Sequence, residues 1–370
     1  MLYFSKTAVL QEKAMDNGKM TFIHLADVHL GASPDGRAAW SKSRRDEIWD
    51  TFRETIADAR EAGADLVLIS GDLFHRPPGE EELREVNYLF STLPSARVAL
   101  IAGNHDHIGP GSAWENFQWN RNVAFLSSAE CECVRFPEIH TEVYGFSYHQ
   151  SEITSPLYDG LSPARGNGCR ILLAHGGDAM HIPLSARTFA HSGFSYVALG
   201  HIHHPQALIP DRAVYAGALS PIDCADEGPH GYVLGTWEHG KVRTTFVPKA
   251  KREYVRITLP VTPEDTTYSL RDRLEKEMEK KGWQHIYRVT LTGTRDPQIQ
   301  FDTDRLAEYG MVLAVDDETL PDLDIEGLRE KYRGGLIGSY IDSFGKDPAS
   351  PVERRALSLG LEALLRAQGR

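Results

Sequence analysis

The chain has 370 residues, of which 41% are hydrophobic and 25% charged, with a formal net charge of −12 and four cysteines. That length predicts one large domain and at least one smaller one, with the composition of an ordinary globular protein. The acidic balance argues against a generally basic nucleic-acid binder. No apolar run reaches the roughly 18 residues that a membrane-spanning helix needs.

The first 19 residues read as an N-terminal extension: Met20 stands directly before the first strong strand, and Ala8 to Leu10 is too short for the apolar part of a signal peptide. Phe22 to Ala26 predicts a buried strand. Arg44 to Glu61 predicts a helix with Ile48, Trp49, Phe52, Ile56 and Ala59 on one face. Leu66–Ile69 is a second strand, Glu80–Thr92 a second helix and Arg97–Ala102 a third strand. This β-α-β-α-β order implies parallel strands flanked by helices.

After Val123 the pattern changes to short strands at Glu130–Arg135, Glu142–Phe146, Arg170–Ala174, Tyr196–Leu199, Ala213–Tyr215, Tyr232–Thr236 and Val242–Val247. They predict a second, partly antiparallel sheet, and so an α/β fold with two sheets face to face and helices outside. Cys131 and Cys133 alternate in one of these strands. With Cys169 and Cys224 they form neither a disulfide framework nor a C-x-x-C pair, a usage that fits a reducing cytoplasm.

Pro248–Arg252 reads as a linker. Beyond it, strands at Tyr254–Leu259, His285–Thr292 and Met311–Val315 with a helix at Tyr268–Lys281 predict a small α+β module. Ile325–Tyr332 and Pro351–Ala367 read as helices. The expected division is therefore an extension (1–19), a large domain (20–250), a small α+β domain (251–320) and a helical segment (321–370). Leu357, Leu361, Leu364 and Leu365 form an i, i+4, i+7, i+8 stripe, suited to packing on the chain's own small domain or to docking on a partner.

Polar residues interrupt the ends of the buried strands. Asp27-Val28-His29 follows the first, Gly71-Asp72-Leu73-Phe74-His75 the second and Gly103-Asn104-His105-Asp106 the third. In an extended segment residues i and i+2 point the same way, so Asp27 and His29 should converge. The C-terminal ends of parallel strands are where ligand-binding loops collect. His175 ends a later strand, and Gly200-His201-Ile202-His203 ends another. Each motif alone is ordinary turn or capping chemistry. Together they place Asp, His and Asn at one edge, without a thiolate, a set suited to a divalent ion of Mn, Fe or Zn type. Seven candidates exceed one tetrahedral ion and suit two ions about 3.5–4 Å apart. His149 and His181 are alternatives to His175. His107, His204 and Asp223 read as loop residues, His24 as packed within its strand, and Lys42, Arg44 and Arg45 as a charged helix start that could touch phosphates.

The run of these motifs resembles the calcineurin-like metallophosphoesterases over about residues 20–248. Its wording is most similar to the SbcD- and YhaO-type DNA double-strand-break repair nucleases. The resemblance implies a four-layer α/β/β/α sandwich with a small capping domain and C-terminal helices. It implies that Asp27, His29, Asp72 and His203 hold one ion, and that Asp72, Asn104, His175 and His201 hold the other. His105 would protonate the leaving oxygen with Asp106 orienting its ring, and His75 would help to position the phosphate. Two divalent ions, most often Mn2+, with DNA as substrate, an SbcC-type SMC-like ATPase as partner and room for a homodimer complete the expectation. The alternative is a stand-alone phosphodiesterase for small cyclic nucleotides or other phosphoesters.

Overall fold

A computed structural model describes residues 18–36, 38–345 and 350–368, so the expected extension lies outside it except for Gly18 and Lys19. The chain divides into two compact units, one ending at Glu253 and the other beginning at Tyr254. In chain order the first contains β1 (Lys19–Leu25), α1 (Ser41–Glu61), β2 (Leu66–Ser70), α2 (Glu80–Ser91), β3 (Arg97–Ile101), β4 (Val123–Phe125), β5 (Glu132–Phe136) and β6 (Thr141–Gly145). It continues through β7 (Cys169–His175), α3 (Ala186–Ala190), β8 (Tyr196–Gly200), β9 (Gln206–Ile209), β10 (Ala213–Tyr215), β11 (Gly231–Glu238) and β12 (Lys241–Pro248).

One sheet has the order β12-β11-β1-β2-β3-β4, parallel from β1 to β4 with β11 and β12 antiparallel. The other runs β5-β6-β7-β8-β10-β9, parallel in its middle and antiparallel at both edges. The central strands read as continuous apolar runs because both of their faces are covered. Ile23, Leu25, Val67, Ile69, Val98 and Leu100 pack with Ile48, Phe52 and Ile56 of α1 and with Leu83, Val86 and Phe90 of α2. Phe22, Leu66, Leu68 and Ile101 point the other way, onto Ile171, Leu173 and Ala198 of the second sheet. Each such side chain contributes about 1.5–3 kcal/mol on burial. In this apolar layer His24 is fully buried, its ring 2.9 Å from the Tyr196 hydroxyl and 3.1 Å from the Ser70 hydroxyl. It is a packed strand residue, and it ties the two sheets together.

The second sheet's outer face is covered by Phe146, Tyr148, Tyr158, Phe189 and Phe194, so the fourth layer is mostly loop with the short α3. Sequence periodicity does not find β4 and β9. Both are short, and neither has a fully buried face to impose alternation.

The second unit holds β13 (Tyr254–Val261), α4 (Thr267–Lys281), β14 (Ile286–Arg295), α5 (Thr303–Ala307), β15 (Val312–Asp317), β16 (Leu320–Pro321), α6 (Ile325–Lys331), α7 (Leu336–Ser343) and α8 (Pro351–Gln368). Its sheet is parallel, β13-β14-β15, with β16 against the end of β14. Leu270, Leu274 and Met278 of α4 lie in its core. Leu357 and Leu361 of α8 are buried with Ile337 and Ile341 of α7, and Leu364 and Leu365 pack on the same cluster. The leucine stripe is thus used within the chain. The Arg295 guanidinium pairs with Glu362 at 2.9 Å and anchors α8 to β14, so the helical segment belongs to the same unit as the small sheet.

Candidate metal centre

The motifs meet where the two sheets' strand ends face each other. Beyond β1 and β2 the chains stay paired: Asp27 N–H donates to the Gly71 carbonyl at 3.2 Å, His29 N–H to that of Asp72 at 3.0 Å and Leu30 N–H to that of Leu73 at 2.9 Å. The expected plain extended geometry is absent, however. Asp27, His29, Asp72 and His201 have φ of 49°, 51°, 50° and 94°, a region that costs residues with a Cβ. These kinks, not strand alternation, turn the side chains inward. Glycines leave room for them within and between the sheets. A Cβ on Gly103 would lie 2.2 Å from the Asp72 carboxylate, one on Gly71 2.4 Å from the His175 ring, and one on Gly200 2.1 Å from the Ser70 carbonyl oxygen.

All seven candidate ligands are brought together. The His175 Nε2 lies 2.8 Å from Asn104 Oδ1 and 3.4 Å from Asp72 Oδ2, and His201 Nδ1 lies 3.2 Å from the same Asn104 oxygen. His29 and His203 face each other with their Nε2 atoms 3.1 Å apart. Donor atoms of Asp27, His29 and His203 form one group within 4.8 Å of one another, and those of Asp27, Asp72 and His175 form a second. The His175 backbone is clamped by tyrosines: the Tyr148 and Tyr158 hydroxyls donate to its carbonyl at 3.0 and 3.2 Å.

His75 and His105 are exposed at the rim, their rings stacked with centroids 5.3 Å apart. His105 N–H donates to Asp72 Oδ1 at 2.9 Å, and its ring Nδ1 lies 3.3 Å from the His75 carbonyl oxygen. The expectation that Asp106 orients the His105 ring is corrected. Its fully buried carboxylate accepts the backbone N–H groups of Gly103 at 2.7 Å and Phe74 at 3.1 Å, so it braces two motif loops. Arg44 is also not a phosphate contact. It is buried, paired with Glu47 at 2.8 Å and donating to the Pro221 carbonyl at 2.6 Å, while Lys42 and Arg45 are exposed. His149 lies on the Ser127 carbonyl outside the ligand group. His107 holds the Asn104 carbonyl at 3.0 Å, Asp223 accepts the Ala225 N–H, and His204 is exposed.

Two carboxylates escape the sequence reading. Asp178 Oδ2 lies 2.8 Å from His201 Nε2, with the His181 ring on its other oxygen at 2.9 Å. Asp226 meets His203 Nδ1 with both oxygens at 3.1 Å. Neither sits in a motif, and each is joined to its histidine only by the fold.

Electrostatics test whether the set fits cations. Burial, with the neighbouring Asp72 adding, lifts Asp27 to about 6, and burial lifts Asp106 to about 7. Burial also opposes ionisation of Asp72, yet His175 beside it holds it well below the carboxylate range. Burial alone would lower His175 and His203. Asp72 and Asp27 instead raise His175 to about 9, and Asp226 with Asp27 raises His203 to about 9. Burial keeps His29 low and takes His201 to about 4. The buried carboxylates therefore demand positive charge, and protons on two imidazoles supply it where cations would. The oxygen and imidazole donors, free of thiolate, fit divalent metal ions.

Two stacked sheets whose strand ends gather Asp, Asn and His around such a centre define a metal-dependent phosphoesterase. Residues 20–205 match the calcineurin-like phosphoesterase family, and the chain belongs to it. It is 25% identical over 374 residues to the uncharacterized metallophosphoesterase YhaO of Bacillus subtilis, covering 90% of each chain. It is likewise 25% identical to the DNA double-strand break repair protein Mre11 of Halobacterium salinarum, covering 92% of this chain and 86% of that one. To Mre11 of Methanocaldococcus jannaschii it is 34% identical over 197 residues, 50% of this chain and 51% of that one.

Proposed function

We propose that the protein hydrolyses phosphodiester bonds of DNA as an SbcD-type nuclease subunit with two divalent ions, manganese foremost, in a reducing cytoplasm. The carrying observation is similarity over both units to a double-strand break repair protein, where a small-substrate esterase needs only the first. Asp27, His29, Asp72 and His203 would hold one ion, and Asp72, Asn104, His175 and His201 the other. Such ions supply neutralisation of phosphoryl charge and an easily ionised water. His105, exposed at the rim and anchored through its N–H on Asp72, gives a proton to the leaving oxygen. His75, stacked on His105, positions the phosphate. An SbcC-type ATPase is the expected partner, meeting a surface other than the leucine stripe, since that stripe is occupied within the chain.

The net charge of −12 and the inward turn of Arg44 favour a second reading, a phosphodiesterase for small cyclic nucleotides. Digestion of linear duplex, hairpin and single-stranded DNA with manganese, beside bis-p-nitrophenyl phosphate, separates the two. Cleavage of duplex ends or hairpins supports the nuclease. Turnover of the small ester with every DNA left intact, in the presence of an ATPase partner too, sinks it.

A further inference from the structure

We propose that Asp178 and Asp226 are positioning residues that hold His201 and His203 in opposite tautomers, so that each offers a different ring nitrogen to the centre. The inference rests on the two-ion reading above. His201 turns Nε2 outward to Asp178 at 2.8 Å and Nδ1 inward to Asn104 at 3.2 Å. His203 is reversed, with Nδ1 outward on both oxygens of Asp226 at 3.1 Å and Nε2 inward, 3.1 Å from His29. An ionised carboxylate only accepts, so the nitrogen facing it carries the hydrogen. The opposite nitrogen of a neutral ring then keeps its lone pair for a cation.

Both carboxylates are themselves fixed. Asp226 Oδ2 accepts the N–H groups of Ile222 and Asp223 at 2.9 and 3.1 Å, and Asp178 Oδ1 those of Met180 and His181 at 2.8 and 2.9 Å. His175 follows the same logic with a backbone acceptor, its Nδ1 2.8 Å from the Ser70 carbonyl. Three histidines thus have their outward nitrogen occupied, two of them by carboxylates. The two carboxylates differ in exposure, 47% for the Asp178 side chain and 9% for Asp226. Water screens the first pair more, so Asp226 has the larger effect. The donors of Asp178, His181 and His201 also lie within 4.8 Å of one another, which makes a third ion the rival explanation. Four donors already converge on the Asp178 carboxylate, which favours the positioning role.

Zinc titration calorimetry of the metal-free full chain tests this with Asp178→Asn and Asp226→Asn, because an amide can donate to the ring and favour the wrong tautomer. Wild type should take up two ions. Asp226→Asn should weaken one of them roughly 10–100-fold and Asp178→Asn the other by less. With Asn104→Ala, which leaves one ion, Asp226→Asn should still weaken it and Asp178→Asn should not. Nitrogen NMR of zinc-loaded, histidine-labelled wild type should find the hydrogen on Nε2 of His201 and on Nδ1 of His203. That readout stands even if a variant fails to fold. Two ions in wild type with unchanged affinity in both variants, or the same tautomer in both rings, overturns this inference alone. So does a third ion that Asp178→Asn removes. Fewer than two ions in wild type overturns the two-ion reading and this inference with it.

Discussion

The backbone N–H of His201 donates to both carboxylate oxygens of Asp27, at 3.0 and 2.9 Å, although the two residues are 174 apart in sequence. The contact holds His201 at its φ of 94°, a strain of about 1–3 kcal/mol, with a charge-assisted bond of about 1.5–3 kcal/mol. Asp27→Ala should therefore lose both a ligand and the placement of the last motif, weakening both ions. Asp27→Asn keeps one acceptor and should be the more stable of the two when metal-free. Equal thermal unfolding of the two metal-free variants would contradict this account.

Asp72 carries a heavier load. Its carboxylate reaches His175 at 3.4 Å and accepts the His105 N–H, and it lies 3.9 Å from the His29 ring. Metal analysis of Asp72→Ala should show loss of both ions. Full occupancy in that variant would sink the shared-ligand assignment.

His105→Ala should keep its metals and lose roughly 10²–10⁴-fold in rate on DNA, the usual span for a general acid. On bis-p-nitrophenyl phosphate, whose leaving group needs no proton, the loss should shrink. Equal losses on the two substrates would argue for a role in binding.

Burial lowers His24 to about 3, outweighing a backbone contact at Leu199 that works the other way. The folded state therefore refuses a proton that the unfolded chain accepts below about 6.5. Its contribution is complete above that pH and is lost as pH falls from about 6.5 towards 3, at up to about 1.4 kcal/mol per unit. Denaturant unfolding of wild type and His24→Gln between pH 7 and 4 compares the slopes. A variant as steep as wild type would place the acid sensitivity elsewhere.

A chain ending at Glu253 should bind both ions and hydrolyse the small diester while losing much of its action on duplex ends. The ending matters: Lys249 pairs with Asp58 at 2.8 Å, Lys251 with Glu54 at 3.3 Å and Arg252 with Glu47 at 2.5 Å, so the expected linker is strapped to α1. Once circular dichroism confirms folding, duplex cleavage equal to that of the full chain would show the second unit to be dispensable for DNA.

The candidate ligands are legible in the sequence because each lies at the end of an apolar strand, a signal carried within a few residues. What acts across the fold is not. Asp178 and Asp226 each lie 23 residues from the histidine they support, with nothing local to mark them. The resemblance makes Asp106 the partner of the His105 ring, whereas in the fold the backbone amides of Gly103 and Phe74 each take one of its oxygens. Arg44 reads as solvated at its helix start, and beside its local pair with Glu47 it is the Pro221 carbonyl, 177 residues on, that accounts for its inward turn.

Gly71 and Gly200 face the opposite sheet and Gly103 faces Asp72 of its own, each with less than 2.5 Å between a notional Cβ and its neighbour. The spacing of the candidate ligands is consequently a mechanical property of the sandwich, fixed by how near two backbones can approach. One methyl group, the smallest change available at these points, would act as a wedge between the sheets at Gly71 or Gly200 and would push the Asp72 carboxylate aside at Gly103. A mutational scan scored on activity would rank the three glycines beside the candidate ligands, although they carry no charge, donate no proton and present no side chain to any substrate.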